Sequence, residues 1–163
     1  MQDKMKNFPH HHVMTLRLNV DSAKSAQIGI TPRGYRTIAP IIGGDFNGPR
    51  IKGTVLPGGA DWVLLPEPGK MLIDVRLTLK TQTGGLIYTQ YEGRFNGSAD
   101  AMAKLAKGEA LPSDAYSLVT HVRFETGEEE LAWLNDIVAV GIGEQSGFNP
   151  IYEIYQIGPQ LDF

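Results

Sequence analysis

Short runs of alternating apolar and polar residues, separated by turn residues, extend along nearly the whole chain. Residues 14–20 are a clear example, since apolar side chains at every second position predict a strand with one buried face. Turn sequences such as Thr31-Pro32-Arg33-Gly34 and Pro57-Gly58-Gly59 separate the runs. The pattern predicts ten strands, at residues 14–20, 26–30, 36–42, 50–56, 61–65, 71–80, 86–95, 116–125, 137–143 and 151–157.

One segment has the pattern of a helix instead. Ser98 is a suitable N-cap, residues 99–107 are good helix formers with Met102 and Leu105 on one side, and Gly108 ends the segment. Strands and helices do not alternate, which argues against a parallel α/β sheet. We therefore expect a mainly β fold, an antiparallel closed or nearly closed β-barrel of about ten strands with one short helix.

The strands at residues 71–80 and 86–95 form a predicted hairpin with one apolar and one charged face. A two-residue loop would place Arg94 opposite Ile73, on the apolar face. A three-residue loop, Thr83-Gly84-Gly85, keeps that face apolar and supplies a late glycine for a type I turn with a bulge. This second register predicts a ladder of pairs on the charged face: Asp74–Arg94, Arg76–Glu92, Thr78–Gln90 and Lys80–Tyr88.

Composition narrows the choice of partners and compartment. The 163 residues carry a net charge of −3, so no basic field favours nucleic acid. Without cysteine, neither disulfides nor thiolate metal sites can form. No apolar run has the length of a membrane helix or a signal peptide, and we expect a cytoplasmic protein. With no repeat or linker, we expect a flexible segment at residues 1–12 and a single β-barrel domain at residues 13–163.

Several sequence blocks, in a fixed order, resemble a known family. The most specific are Gly58-Gly59-Ala60-Asp61-Trp62 and Phe124-Glu125-Thr126-Gly127, and Asp74-Val75-Arg76 and Ala132-Trp133-Leu134-Asn135 accompany them. Together they resemble the uncharacterised proteins known as domain of unknown function 3237, or uncharacterised protein family 0311. The resemblance spans about residues 16–155. It implies a small β-barrel-like domain and no established reaction.

The charged hairpin face is the first candidate site. If it lines the barrel interior, its charges must pair there, because a buried unpaired charge is very costly. Arg76 or Arg94 would then bind an anionic oxygen, and Asp74 would transfer a proton. If the face is exposed to solvent, the same ion pairs contribute only about 0–1 kcal/mol each. The sequence leaves both alternatives open.

Further candidates lie beside turns and at strand ends. Asp61 and Trp62 would place an acid and a stacking ring at a barrel mouth, unless they cap the turn and pack in the core. Glu125 ends a strand, where it would act as an acid or base or bind nearby backbone amides. The tyrosines would donate phenol hydrogen bonds to a ligand or pack in the core with hydroxyls at the surface: Tyr88, Tyr91, Tyr152 and Tyr155.

Metal and nucleotide sites are not indicated. His10 and His12 share one strand face, but two imidazoles without a nearby acid do not complete a zinc site. Gly141-Ile142-Gly143 is followed by a predicted strand rather than by the helix that a dinucleotide loop requires. We therefore expect neither a metal nor a cofactor.

Two function classes remain, both with a small-molecule partner rather than nucleic acid or a membrane. One is a cofactor-independent acid/base enzyme, an isomerase, lyase or cyclase, that acts on a small organic acid or aromatic compound. The other is a non-catalytic barrel that carries a small apolar ligand. A structural or interaction protein fits if the charged face is exposed, and a homo-oligomer is compatible with the sequence. The expected catalytic residues are Asp74, Glu125 and Asp61, and the expected ligand-binding residues are Arg76, Arg94, Tyr88 and Trp62.

Overall fold

The computed structural model describes residues 8–160, and within them ten strands and one α-helix are present. The helix, α1 (Ala99–Ala106), lies between β7 and β8, and two short 3-10 helices, Ser22–Lys24 and Glu129–Asp136, precede β2 and β9. The predicted mainly β fold is confirmed. The strands are β1 (His10–Val20), β2 (Ala26–Thr31), β3 (Gly34–Asn47), β4 (Lys52–Val55), β5 (Gly59–Leu65), β6 (Lys70–Thr81), β7 (Leu86–Gly97), β8 (Tyr116–Glu125), β9 (Val138–Ser146) and β10 (Asn149–Ile157).

The strands form one antiparallel sheet that closes on itself. From β1 the order runs through β10, β9, β8, β7 and β6, and β3 closes the ring by pairing with β1. Both β4 and β5 lie between β3 and β6: β5 pairs with the first half of β3 and β4 with its second half. The result is an eight-strand barrel with two extra strands. Closure removes most of the unpaired edges that an open sheet would expose.

Apolar side chains at alternate positions fill the barrel interior, as the sequence pattern predicts. In β6, Ile73, Val75, Leu77 and Leu79 are buried, whereas Asp74 and Arg76 between them are only partly buried. The same alternation continues in β7 and β8. The charged hairpin face therefore points to the exterior, and the hypothesis that it lines the interior is wrong.

The β6–β7 hairpin has a three-residue loop, as predicted, but the loop begins one residue earlier. Lys80 pairs with Leu86, and the Gly84 N–H donates to the Thr81 carbonyl at 3.0 Å, so the loop is Gln82-Thr83-Gly84 rather than Thr83-Gly84-Gly85. The backbone N–H of Thr81 donates to the Gly85 carbonyl at 2.9 Å, and the Thr81 Oγ1 accepts the Gly85 N–H at 2.9 Å. Gly84 has a φ of +95°, a conformation that favours glycine. The buried Thr81 side chain thus favours the loop at residues 82–84.

As a consequence, the predicted register is wrong by two positions. A shift by two leaves every side chain on its predicted face, so the apolar face was predicted correctly. Asp74 now faces the like charge of Glu92, but Arg76 lies 3.4 Å from Asp74 and His121 lies 3.8 Å from Glu92. The observed pairs on the charged face are Asp74–Glu92, Arg76–Gln90, Thr78–Tyr88 and Lys80–Leu86.

The remaining expectations concern α1 and the chain ends. The Ser98 Oγ accepts the Ala101 N–H at 3.0 Å, and Gly108 has a φ of +73°, so the predicted cap and end of α1 are confirmed. β1 begins at His10 and pairs with β10, so residues 10–12 join the barrel rather than a flexible segment. Residues 1–7 and 161–163 of the expected segment and domain lie outside the described residues. No helix among the described residues is long and apolar enough to cross a membrane.

Candidate active site

A cavity of about 440 Å³ lies at one end of the barrel. It is bounded by β5, the start of β6, the first half of β3 with β2 and the 3-10 helix before it, the β9–β10 turn and one side of α1. This volume is within the usual range for small-molecule sites, and such sites are mostly apolar with few polar groups. The apolar part of the wall includes Val63, Leu65, Met71, Ile73, Met102, Leu105 and Phe148.

Asp61 extends from β5 into this cavity and is partly accessible from it. Its Oδ1 accepts the backbone N–H of Asp74, in β6, at 3.1 Å. β5 and β6 pair at Asp61–Val75 and again at Leu64–Leu72, and they separate between these two pairs. The carboxylate therefore bonds a backbone donor at the gap in the ladder, and this bond orients it.

A side chain on the outer side of the sheet binds the backbone at the same gap. There the Trp62 carbonyl accepts a hydrogen bond from the Arg36 guanidinium. Because side chains alternate along β5, Asp61 faces the interior and Trp62 faces the exterior. One dipeptide therefore supplies an interior acid and an exterior ring.

Two buried tyrosines share the interior with Asp61. Tyr91, from β7, and Tyr152, from β10, are 2% and 3% exposed, and their ring centroids are 5.1 Å apart with the planes at 56°. Gly143, on the neighbouring β9, leaves room for the Tyr152 ring, since a Cβ there would lie 2.7 Å from it. Closure of the barrel brings the side chains from β5, β7 and β10 together.

The environment of this cluster raises the pKa of all three groups, Asp61, Tyr91 and Tyr152. Burial raises the pKa of Asp61 to about 7; the Asp74 backbone N–H and the Arg36 charge oppose this increase, and the Asp74 charge adds to it. Burial also holds the pKa of Tyr91 and of Tyr152 well above the usual value, and the Asp61 charge contributes to both shifts. Near neutral pH, Asp61 can therefore gain or lose a proton while both phenols stay neutral hydrogen-bond donors.

Two further polar atoms inside the barrel are buried without a hydrogen-bond partner, the Gln145 Oε1 and the Thr89 Oγ1. Gln145 lines the cavity, and its backbone N–H donates to the Tyr116 hydroxyl at 2.9 Å. Its amide is available to a ligand. The sequence did not indicate Gln145, because the predicted strand ended at Gly143, whereas β9 continues to Ser146.

Of the predicted site residues, Asp61 alone lines the cavity. Asp74, Trp62 and Arg94 line a groove on the outer surface, and Arg76 lies beside it, with its guanidinium carbon 5.1 Å from the Trp62 ring centroid. Glu125 and Tyr88 are exposed and face each other across β7 and β8, near the β6–β7 turn. The structure therefore does not bring the predicted catalytic residues together. Tyr91 alternates with the charged positions of β7, as Phe95 does, and this alternation was the available signal that its side chain faces the interior.

Metal ligation is not supported among the described residues. No group of three or more His, Cys, Asp or Glu side chains within residues 8–160 is placed to hold a metal ion. The His12 Nε2 lies 2.7 Å from the Glu153 Oε2, and the Thr15 hydroxyl donates to the same carboxylate. This small cluster is therefore satisfied within the chain.

Comparison with known proteins connects this fold to uncharacterised relatives. A UPF0311 protein from Rhodopseudomonas palustris is 28% identical over 146 residues, covering 90% of this chain and 94% of the relative. A β-barrel-like protein from Acinetobacter baumannii is 34% identical, with a TM-score of 0.78 and coverage of 91% and 96% of the two chains. An enzyme from Penicillium herquei is 18% identical, with a TM-score of 0.67 and coverage of 92% and 94%. This last similarity shows the fold alone.

The family model supports the resemblance seen in the sequence blocks. A model described as "Protein of unknown function (DUF3237)" matches residues 9–157, which contain all ten strands, from the start of β1 to the end of β10. The match contains all the motifs that carried the resemblance, and it contains Asp61, Tyr91 and Tyr152. The chain belongs to the DUF3237 family of proteins of unknown function.

Proposed function

We propose that the protein is a cofactor-independent acid/base enzyme that acts on a small, largely apolar molecule in the barrel cavity. The observation that carries this proposal is Asp61, a carboxyl group with a pKa of about 7 that lines a mostly apolar cavity together with the neutral phenol of Tyr152. A general acid or base is most effective when its pKa is close to the working pH. Perturbed carboxyl groups in clefts are typical of functional sites.

The arrangement assigns a role to each group. The Asp61 carboxylate takes a proton from a C–H or O–H group of the substrate. The hydroxyl of Tyr152, which lines the cavity, donates a hydrogen bond to the negative charge that develops on a substrate oxygen, and Tyr91 packs against the Tyr152 ring. Asp61 then returns the proton to a different atom, as an isomerase, lyase or cyclase requires. The Asp74 backbone N–H at 3.1 Å holds the carboxylate in position.

The apolar wall defines the body of the substrate. Met71, Met102 and Leu105 are part of this wall, and Gln145 is a polar lining side chain with an unused acceptor. We infer that the substrate has an apolar, ring-sized body and a polar end that reaches Asp61. The matching fold of an enzyme from Penicillium herquei is compatible with this proposal, since it indicates that a barrel of this shape can support catalysis.

The alternative function is a non-catalytic carrier, and the apolar wall of the cavity is as suitable for a carrier as for an enzyme. A carrier has no use for a carboxyl group that titrates near neutrality, and such a group reduces the stability of the folded protein. Catalysed proton exchange distinguishes the two functions directly, because a carrier binds its ligand without exchanging the ligand's protons.

A suitable test uses 2-tetralone, a bicyclic ketone with acidic C–H groups, as the probe in D₂O. We expect the protein to accelerate deuterium uptake next to the carbonyl, measured by proton NMR. Asp61→Asn should abolish the acceleration, and Tyr152→Phe should reduce it by about 100-fold, the effect of a lost transition-state donor. Glu125→Gln is the matched control and should leave the rate unchanged. Equal uptake with the wild-type protein and with Asp61→Asn would exclude the proposed role.

A further inference from the structure

A second concave site lies on the outer surface, on the opposite side of the sheet from Asp61. It is a groove of about 360 Å³, and we call it the outer groove. The side chains that carry the argument are Arg33, Arg36, Arg94, Trp62, Leu64 and Leu72. The proposed enzymatic reaction uses none of them.

The outer groove contains more arginines than carboxylates. Two carboxylates share the groove with three arginines: Asp74 lies 3.4 Å from Arg76, outside the lining, and Glu92 lies 3.8 Å from His121. Among the described residues, Arg33, Arg36 and Arg94 form no ion pair within 4.0 Å of a carboxylate. Arg36 is held by the Trp62 carbonyl and therefore presents a fixed positive charge. Three guanidinium groups without anionic partners line one depression.

The wall between these charges is apolar. Leu64, Leu72 and the Trp62 ring come from the outward-facing positions of β5 and β6, where a solvated barrel surface would ordinarily carry polar side chains. Guanidinium groups bind carboxylate and phosphate oxygens in a bidentate manner, and aromatic rings stack on flat ligands. Guanidinium groups around an apolar floor are the complement of an organic anion.

We propose that the outer groove is a second ligand site, which binds an organic oxyanion, a carboxylate or a phosphate on a flat apolar body. The oxyanion lies on Arg94 and Arg33, and the apolar body lies against Trp62, Leu64 and Leu72. The site is independent of the proposed catalysis, because its ligand need not reach Asp61. It also keeps the predicted ligand-binding residues Arg94 and Trp62 in one place, outside the barrel.

NMR titration with 2-naphthoate tests this proposal. The chain has two tryptophans, so the Trp62 indole N–H reports on the outer groove and the Trp133 indole N–H serves as an internal reference. We expect saturable shifts of the Trp62 resonance and none of the Trp133 resonance. The methyl signals of Met71 and Met102 report separately on binding in the interior cavity. Parallel titrations with 2-naphthyl phosphate and with inorganic phosphate distinguish a carboxylate ligand from a phosphate ligand and test the need for the apolar body.

Three arginine variants make the test specific. Arg94→Gln and Arg33→Gln should each weaken 2-naphthoate about tenfold, the effect of losing one charge-assisted hydrogen bond. Arg123→Gln, on the exposed face of β8 and outside the groove, makes the same change in net charge and should leave the affinity unchanged. Neutral 2-naphthol should bind at least tenfold more weakly. The proposal is overturned if the Trp62 resonance does not move, if all three variants weaken binding equally, or if only the methionine signals respond.

Discussion

At the scale of single residues, the position of Asp61 sets both chemistry and stability. Its neighbours oppose one another: burial and the Asp74 charge favour the protonated form, whereas the Asp74 backbone N–H and Arg36 favour the ionised form. Burial dominates, so the folded protein binds this proton more tightly than the unfolded chain does. A carboxyl group that served only to stabilise the fold would show the opposite shift.

The raised pKa predicts a dependence of stability on pH. Between about pH 4 and about pH 7 the folded state holds a proton on Asp61 that the unfolded state has lost, so the free energy of unfolding falls as the pH rises through this window. A shift from 3.8 to about 7 corresponds to at most about 4 kcal/mol. We expect Asp61→Asn to unfold at a higher temperature than the wild-type protein at about pH 8 and to differ little at about pH 4.

Thermal unfolding followed by circular dichroism checks this expectation. Glu125→Gln removes one exposed carboxylate from β8 and is the reference for a change in net charge. A wild-type protein whose stability rises through this pH window relative to Asp61→Asn would show that the Asp61 pKa is not raised.

At the scale of elements, much of the barrel could be predicted from alternation. All ten predicted strands are present, and the face on which each hairpin side chain lies was correct. The register was not predictable from the faces, because pairings that differ by two positions bury the same residues. The Thr81 hydroxyl decided between them through a contact with Gly85 that no apolar pattern reports.

The active site was harder to predict because it depends on contacts between distant strands. Asp61 follows a turn and was a candidate for that reason, but Tyr91 and Tyr152 become its neighbours only when β10 and β7 join the same barrel. The charged residues of the β6–β7 hairpin formed a clear pattern in the sequence, and Asp74 was therefore predicted to be catalytic. The sequence does not say whether an acid lies inside or outside the barrel until it is known which residues of β5 face the interior.

Close packing between β9 and β10 predicts a specific effect of a small substitution. At Gly143 a Cβ would lie 2.4 Å from the Leu118 side chain and 2.7 Å from the Tyr152 ring. Gly143→Ala should therefore displace Tyr152 and destabilise the protein by about 1–3 kcal/mol, as overpacking in a core usually does. Urea unfolding measures the change. Gly127→Ala, where no atom lies within 4 Å of the added Cβ, should be nearly neutral, and equal effects of the two variants would contradict the packing argument.

At the scale of the whole molecule, the closed barrel separates two chemical environments across one sheet. The interior holds a carboxyl group and a phenol in a mostly apolar cavity, and the exterior holds guanidinium groups around a tryptophan. β5 and β6 connect them, since Asp61 and Arg36 bind backbone groups on the two sides of the same gap in the ladder.

The most direct test of the account is the titration of Asp61 itself in the folded protein. Carbon-13 NMR of the side-chain carboxyl group, assigned by comparison with Asp61→Asn, follows its ionisation across the pH range. The account predicts a midpoint near pH 7, well above the ordinary aspartate value of 3.8. A midpoint near 4 would contradict the account, because burial would then not raise the Asp61 pKa and the site would lack the carboxyl group tuned to neutral pH on which the proposal rests.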